Sequence, residues 1–175
     1  MFRLLTCIIL MFSASFANAG NYEVTARNML PNEHLTQLVI APTTKDRFFF
    51  RPDSRLTAAA RIFAIEGNPD QLARRIGRKA VIGDGTATID GFPGQTLPLG
   101  AAVFTMQTRA KRLRIMAMIG PEIEPDSFVI GVADLSEGAE VVVPLTRYDL
   151  GVNEGTNTRV LVSRGDIVVT FRRLD

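Results

Sequence analysis

The stretch "RLRIMAMIG", residues 112–120, is the segment that indicates the fold most directly. In a β-strand, successive side chains point to opposite faces of the sheet. One face of this segment is wholly apolar and carries Leu113, Ile115, Ala117 and Ile119. The other face carries Arg114, Met116 and Met118. We interpret the methionines as sheet packing and not as a copper site, and the segment as a strand that packs on both sides.

Segments of similar length lie on both sides of this strand along the chain. They are residues 101–108 ("AAVFTMQT"), 127–132 ("SFVIGV"), 139–146 ("AEVVVPLT"), 158–163 ("TRVLVS") and 166–173 ("DIVVTFRR"), with residues 22–26 and 35–41 nearer the N-terminus. The "RGD" at 164–166 is predicted as a tight hairpin turn, and Asp84-Gly85 as another. Short strands joined by turns favour an antiparallel sheet over a parallel one. The predicted fold is therefore all-β, an antiparallel β-sandwich.

Two short helices are predicted as an insertion between the strands. Ser54 is the expected cap of the first helix, which ends at Gly67, and Asn68-Pro69 begins the second, which ends at Gly77. The predicted loop at 42–53 contains three consecutive phenylalanines, residues 48–50. Neighbouring residues of an extended chain point in opposite directions, so we expect at least one of the three to be exposed or covered by the helices.

The N-terminal segment, residues 1–19, has the features of a secretory signal peptide. It combines Arg3, an apolar stretch at 4–16 and the small residues Ala17 and Ala19. Cleavage after Ala19 would leave one domain, residues 20–175, without cysteine and without a transmembrane span. That domain has 19 basic and 18 acidic residues, a balance that gives no reason to expect nucleic-acid binding. We expect a periplasmic or secreted protein.

The stretch "RYDLGVNEGTN", residues 147–157, contains the candidate metal ligands. Calcium takes about six to eight oxygen ligands from carboxylates, amides, carbonyls and water. If the strands ending near Asp149 and beginning after Asp126 are antiparallel neighbours, their carboxylates meet at one edge of the sheet. Asn153 would add an amide oxygen, and Glu154 or Glu124 a second carboxylate. The alternative is an ordinary turn, because Asp, Asn and Gly are favoured in turns for conformational reasons.

Four blocks of the sequence, in order, resemble the N-terminal domain of the spondin family. They are "NYEVTARNML" (21–30), "PGQTLPLGAAVFTMQTRAKRLRIMAM" (93–118), "GPEIEPDSFVIGV" (120–132) and "YDLGVNE" (148–154). The last block departs from the family pattern "YDAGTE" at Leu150, Val152 and Asn153. The resemblance implies a spondin-like antiparallel β-sandwich with one calcium site in the loops at one end. It also implies a secreted protein: in animals such domains belong to matrix and adhesion proteins, and in bacteria they occur as short secreted proteins, the kind that this chain resembles.

The expected function is a non-enzymatic binding or adhesion module that meets a protein or glycan at the cell envelope. His34 is the only histidine, and no catalytic motif is present. One alternative is a pilin-like assembly subunit. The other is a sugar-acting enzyme that uses Glu122, Glu124 or Asp126 as acid and base. The first would need an open groove or an unpaired donor strand, and residues 20–21 are too short an extension to donate one; the second would need two carboxyls facing across a cleft.

Two basic runs are candidate contacts for anionic polysaccharide or lipid head groups. They are "RRIGRK" (74–79) and "RAKRLR" (109–114). Because the overall charge is near zero, we favour a simpler role, in which these residues provide solubility and keep strand edges from pairing with other chains.

Overall fold

The computed structural model describes residues 19–83, 85–89, 92–94, 96, 98–120, 126–152 and 154–175. Its elements along the chain are β1 (Gly20–Asn28), β2 (Leu38–Pro42), a 3₁₀ helix (Thr43–Phe48), α1 (Ala58–Glu66), α2 (Asp70–Ile76), β3 (Val81–Gly83), β4 (Gly85–Ile89), β5 (Phe92–Gly94), β6 (Ala101–Thr108), β7 (Arg112–Met118), β8 (Ser127–Asp134), β9 (Glu140–Asp149) and β10 (Val160–Arg173). The predicted signal peptide lies outside the described residues except for Ala19. Among the described residues, no helix is long and apolar enough to cross a membrane.

Eight of the described strands form one continuous antiparallel sheet in the order β3-β2-β7-β8-β9-β10-β1-β6. The sheet curls until its two edges approach each other. Gly83 of β3 lies so close to the ring of Phe104 in β6 that the glycine has no room for a Cβ without a shift of the ring. The shape is therefore nearly closed and barrel-like. The prediction of a mainly β, antiparallel fold with short helices is confirmed.

The central strand β7 is buried on both faces, as its sequence predicts. Leu113, Ile115 and Ala117 lie in an inner core, which is built from the inward faces of the curled sheet. Met116 lies in an outer core between the sheet and the two helices, with Val39 of β2 and other apolar residues. Full burial of one such side chain contributes about 1.5–3 kcal/mol. The helices are therefore needed to cover an outer face that would otherwise expose apolar surface.

Helix α1 begins later than the sequence suggests. Thr57, not Ser54, caps it, because the Thr57 hydroxyl oxygen accepts a hydrogen bond from the Ala60 N–H at 3.3 Å. Ser54 instead lies in the preceding turn, with a φ of 64°. The predicted end at Gly67 is confirmed, and its φ of 69° is the left-handed conformation that glycine adopts most readily.

The three phenylalanines lie at the end of the 3₁₀ helix and just after it. Phe49 is fully buried in the outer core, beneath the helices. Phe48 and Phe50 are half-buried, and arginine groups lie on their rings: Arg47 is 5.0 Å from the Phe48 centroid and Arg114 is 5.3 Å from the Phe50 centroid. None of the three is left as an exposed aromatic contact.

The hairpin turn predicted at residues 164–166 is wrong. Residues 164–166 lie inside the continuous strand β10, where the pairing register with β9 shifts between Arg164 and Val168. Val168 pairs with Pro144, which has no N–H to give to the ladder, so a bulge is tolerated beside it. Asp84 lies outside the described residues. The predicted Asp84-Gly85 turn therefore falls partly outside them; of the strands beside it, β3 pairs with β2 and β4 with β5.

Candidate metal centre

The pairing of β8 with β9 places the two predicted aspartates at the same end of the sheet. Ser127, the first residue of β8, is paired with Asp149, the last residue of β9. Asp126 directly precedes β8 and therefore lies beside Asp149. The connection that follows β9 brings Glu154 to the same place.

Asp126, Asp149 and Glu154 each offer one carboxylate oxygen, and these oxygens all lie within 4.8 Å of one another. Two oxygens on opposite sides of a calcium ion are about 4.6–5.2 Å apart, twice the usual ligand distance. Asp126 is 2 % exposed, Asp149 is half-buried and Glu154 is exposed. A cation at this place would therefore be held from the protein side and open to solvent on the other.

Backbone N–H groups of the following loop fix both aspartates. The Val152 N–H donates to Asp126 Oδ2 at 2.6 Å, and the Gly151 N–H donates to Asp149 Oδ1. A carboxylate has about four acceptor positions, so one backbone bond is compatible with a metal ligand on the same group. The loop thus orients the two side chains that a cation would need.

Gly151 is required by the path of this loop. Its φ is 65°, and a Cβ here would collide with the Thr156 hydroxyl oxygen and lie 3.0 Å from the Thr158 carbonyl oxygen. The Gly151 carbonyl accepts hydrogen bonds from the Asn157 N–H at 2.9 Å and the Thr156 hydroxyl at 3.3 Å. This carbonyl is therefore committed to closing the loop and is a poor candidate for a metal ligand.

The departures from the family pattern fall at two positions that anchor the loop. Leu150 is buried in the outer core, and Val152 packs against that core while its N–H reaches Asp126. Neither side chain takes a position among the carboxylates. The third departure, Asn153, lies outside the described residues, as do Glu122 and Glu124.

A buried ion pair that the sequence did not predict joins β9, the strand that carries Asp149, to the connection between β1 and β2. Arg147 donates two hydrogen bonds of 2.7 Å to the carboxylate of Glu33, and both side chains are 8 % exposed. Arg147 also lies 3.3 Å from the Ser127 hydroxyl oxygen. The signal was available: Val141, Val143 and Leu145 form the inward row of β9, and the next inward position is Arg147. A charge in such a row needs a buried partner.

An arginine-lined pocket of about 510 Å³ adjoins the loop; this too was missed. Arg51, Arg55, Arg61 and Arg159 line it together with Asp53, Ser54, Leu56, Leu150 and Asn157. The Arg61 guanidinium donates to the Asn157 side-chain oxygen at 2.7 Å, and Arg159 lies 4.7 Å from the centre of the Tyr148 ring. Loop residues therefore form one wall of the pocket, and the approach to α1 forms the other.

One carboxylate in this pocket is already paired. Hydrogen bonds from the side chain and backbone of Arg55 hold the pKa of Asp53 below its ordinary value, and Asp53 in turn raises the pKa of Arg55. Arg51, Arg61 and Arg159 have no ion pair among the described residues. The pocket therefore keeps an excess of positive charge.

Comparison with known proteins adds no relative to this picture: no protein-family model matches the chain, and no curated protein sequence is similar to it. The likeness to spondin domains therefore depends on the four sequence blocks alone.

Proposed function

We propose that the chain is a non-enzymatic binding module, periplasmic or secreted, in which a calcium ion fixes a loop for contact with a partner at the cell envelope. The observation that carries the proposal is the meeting of three carboxylates, from Asp126, Asp149 and Glu154, within 4.8 Å of one another. Asn153 would complete the set with an amide oxygen.

The chemistry of the donors favours calcium. Carboxylate and amide oxygens suit hard cations, whereas zinc and copper prefer the nitrogen and sulfur ligands of His and Cys. The three carboxylates also repel one another, and a divalent cation between them would offset that repulsion. An ion that binds only the folded chain stabilises it by about 2.7 kcal/mol when its concentration is 100 times the dissociation constant.

The loop is the link between the ion and a partner. Residues 149–157 hold two of the carboxylates, and the same segment supplies Leu150 and Asn157 to the arginine-lined pocket. Arginine binds carboxylate and sulfate groups through paired hydrogen bonds. A protein or glycan with such groups is the partner that this pocket fits, and the ion would keep the pocket wall in place.

The spondin-like β-sandwich is part of this proposal. In a sandwich, two sheets pack face to face across a shared core. Opposite sides of the curled sheet pack across the inner core in the same manner, which supports the resemblance at the level of architecture.

Two alternatives have less support. Asp126 is 2 % exposed and accepts a backbone hydrogen bond, so it is poorly placed to exchange protons with a sugar substrate. A pilin-like subunit would need a strand to exchange between chains, but β1 is already paired on both sides, with β10 and with β6.

Thermal unfolding with calcium and with EDTA tests the proposal. We expect millimolar calcium to raise Tm by about 5–10 °C, which corresponds to a gain of about 2.7 kcal/mol in a domain of this size. Asp149→Asn should abolish the rise. Glu137→Gln, an exposed acid in the turn at the opposite end of β9, is the matched control and should keep it. An equal Tm of the unaltered protein in calcium and in EDTA would refute the metal site.

A further inference from the structure

A second cavity, of about 660 Å³, lies at the end of the sheet opposite the candidate metal centre. Strand β7 runs between the two ends: Arg112 lines the cavity, and Met118, six residues along, pairs with Phe128 beside Asp126. Six residues of strand span about 20 Å. The two sites are therefore separate.

This cavity brings together the two basic runs of the sequence. Arg78 and Lys79 come from the connection between α2 and β3, Arg109 and Lys111 come from the turn between β6 and β7, and Arg112 begins β7. The other members of the runs are elsewhere. Arg74 and Arg75 do not line the cavity, and Arg114 is bound to Asp46 at 2.7 Å.

The positive charge of the cavity is largely uncompensated. Among the described residues, the only ion pair of these five cationic side chains joins Arg112 to Asp134, at 3.6 Å. All five residues are exposed, so they form a rim. We call it the cationic rim and use the name for Arg78, Lys79, Arg109, Lys111 and Arg112 only.

The floor of the cavity is apolar. Ile40, Val81, Met106 and Leu113 line it, and Ile40 and Leu113 are fully buried members of the inner core. The cavity therefore lies over the end of the inner core, and the half-buried Val81 gives it accessible apolar surface. Its volume falls within the range of about 300–1,000 Å³ that is typical of small-molecule sites.

We propose that this cavity binds an amphiphile with an anionic head group. The head group, a phosphate or a carboxylate, accepts charge-assisted hydrogen bonds from the cationic rim, and the apolar part of the molecule covers the floor. An inorganic anion would leave the apolar floor of the cavity in contact with water, and a neutral amphiphile would form no ion pair with the cationic rim. The combination of rim and floor selects the amphiphilic anion over both.

Calorimetric titration with four probes tests this proposal: octyl phosphate, octanoate, octyl glucoside and inorganic phosphate, each below any micelle-forming concentration. We expect saturable binding of one molecule of octyl phosphate or octanoate per chain. Octyl glucoside and inorganic phosphate should bind at least about tenfold more weakly, since each lacks one half of the interaction. The tighter of the two anionic probes identifies the head group.

Matched double variants assign the binding to this cavity. The double variant Arg109→Gln with Lys111→Gln removes two charges of the rim and should weaken the binding of the anionic probe at least about tenfold. Arg74→Gln with Arg75→Gln removes the same charge from exposed positions of the neighbouring run and should leave the affinity within about twofold. Equal losses in both variants, or octyl phosphate and octanoate both binding no more tightly than octyl glucoside, would overturn the proposal.

The titration is repeated in EDTA and with Asp149→Asn, so that it is independent of the proposed calcium site. We expect unchanged affinity in both cases. The cationic cavity can therefore fail while the metal site stands, or stand while the metal site fails.

Discussion

The two ends of the sheet gather opposite charges, and they do so by different routes. At the acidic end, Asp126 and Asp149 meet because two neighbouring strands pair in the register Ser127 to Asp149. At the cationic end, residues near 78 and near 110 meet because β3 and β7 both pair with β2 and because the curl of the sheet brings β3 towards β6. One site depends on the register of a single strand pair, and the other depends on closure of the whole sheet. The two should therefore respond to different substitutions.

The largest effect is expected from the buried ion pair below the acidic end. Arg147→Met leaves Glu33 buried without its cation, and removal of one partner of such a pair costs about 3–5 kcal/mol. We expect the free energy of unfolding, measured by urea titration, to fall by this amount. The double variant with Glu33→Gln should recover a large part of the loss, because no buried charge then remains.

Arg172→Met is the matched control for this prediction. Arg172 pairs with Glu23 at 2.8 Å, but its side chain is 56 % exposed. Exposed pairs contribute about 0–1 kcal/mol. If Arg147→Met proves as mild as Arg172→Met, the burial of the Glu33–Arg147 pair does not govern stability at this end.

A smaller and more selective effect is expected from two glycines, one at each end. Gly151→Ala must adopt a φ of 65° and displace Thr156, at a cost of about 1–3 kcal/mol, and it should remove the rise of Tm with calcium. Gly83→Ala must displace the ring of Phe104 in β6, at a similar cost in stability, and should weaken the binding of octyl phosphate. Each variant should leave the ligand of the other end unaffected.

Thermal unfolding with calcium and titration with octyl phosphate measure the two effects side by side. Addition of Phe104→Leu to Gly83→Ala should restore stability and affinity, because the smaller side chain makes room for the new methyl group. If both glycine variants impair both ligands equally, the ends are coupled through the sheet and the distinction between register and closure does not hold.

The sequence predicted features that depend on near neighbours. The alternation from Leu113 to Ile119 predicted which side chains lie on each face of β7. The positions of Asp126 and Asp149 at strand ends predicted that their carboxylates lie close together. Such features need only the period of a strand and one antiparallel pairing. The identity of the bound ion does not follow from them and remains a prediction.

Features that depend on distant neighbours were missed. Residues 164–166 suggested a turn, because their sequence does not reveal that a bulge forms there beside the pair of Val168 and Pro144. The alternation of β9 places Arg147 on the inward row, but it does not identify the partner Glu33, which is more than a hundred residues away. The convergence of the two basic runs needs the pairing of β2 with both β3 and β7 and the closure of the sheet, which no local pattern encodes.

The smallest effect is expected from Asp134, the carboxylate next to the cationic rim. Hydrogen bonds from the Ser136 hydroxyl and N–H, and then the charges of Arg112 and Lys111, hold the pKa of Asp134 below its ordinary value. A carboxyl with a lowered pKa stabilises the folded state at neutral pH. That stabilisation is lost as the pH falls below about 4, through the folded pKa.

Asp134→Asn should therefore be slightly less stable than the unaltered protein at pH 7, and the difference should shrink as urea titrations are taken from pH 5 towards pH 2. Glu137→Gln, in the same turn, has no side-chain hydrogen bond among the described residues and serves as the control. A difference that grows as the pH falls would contradict the lowered pKa. At neutral pH, Asp134→Asn should also bind octyl phosphate a few-fold more tightly, because it releases Arg112 to the rim while leaving calcium binding at the far end unchanged.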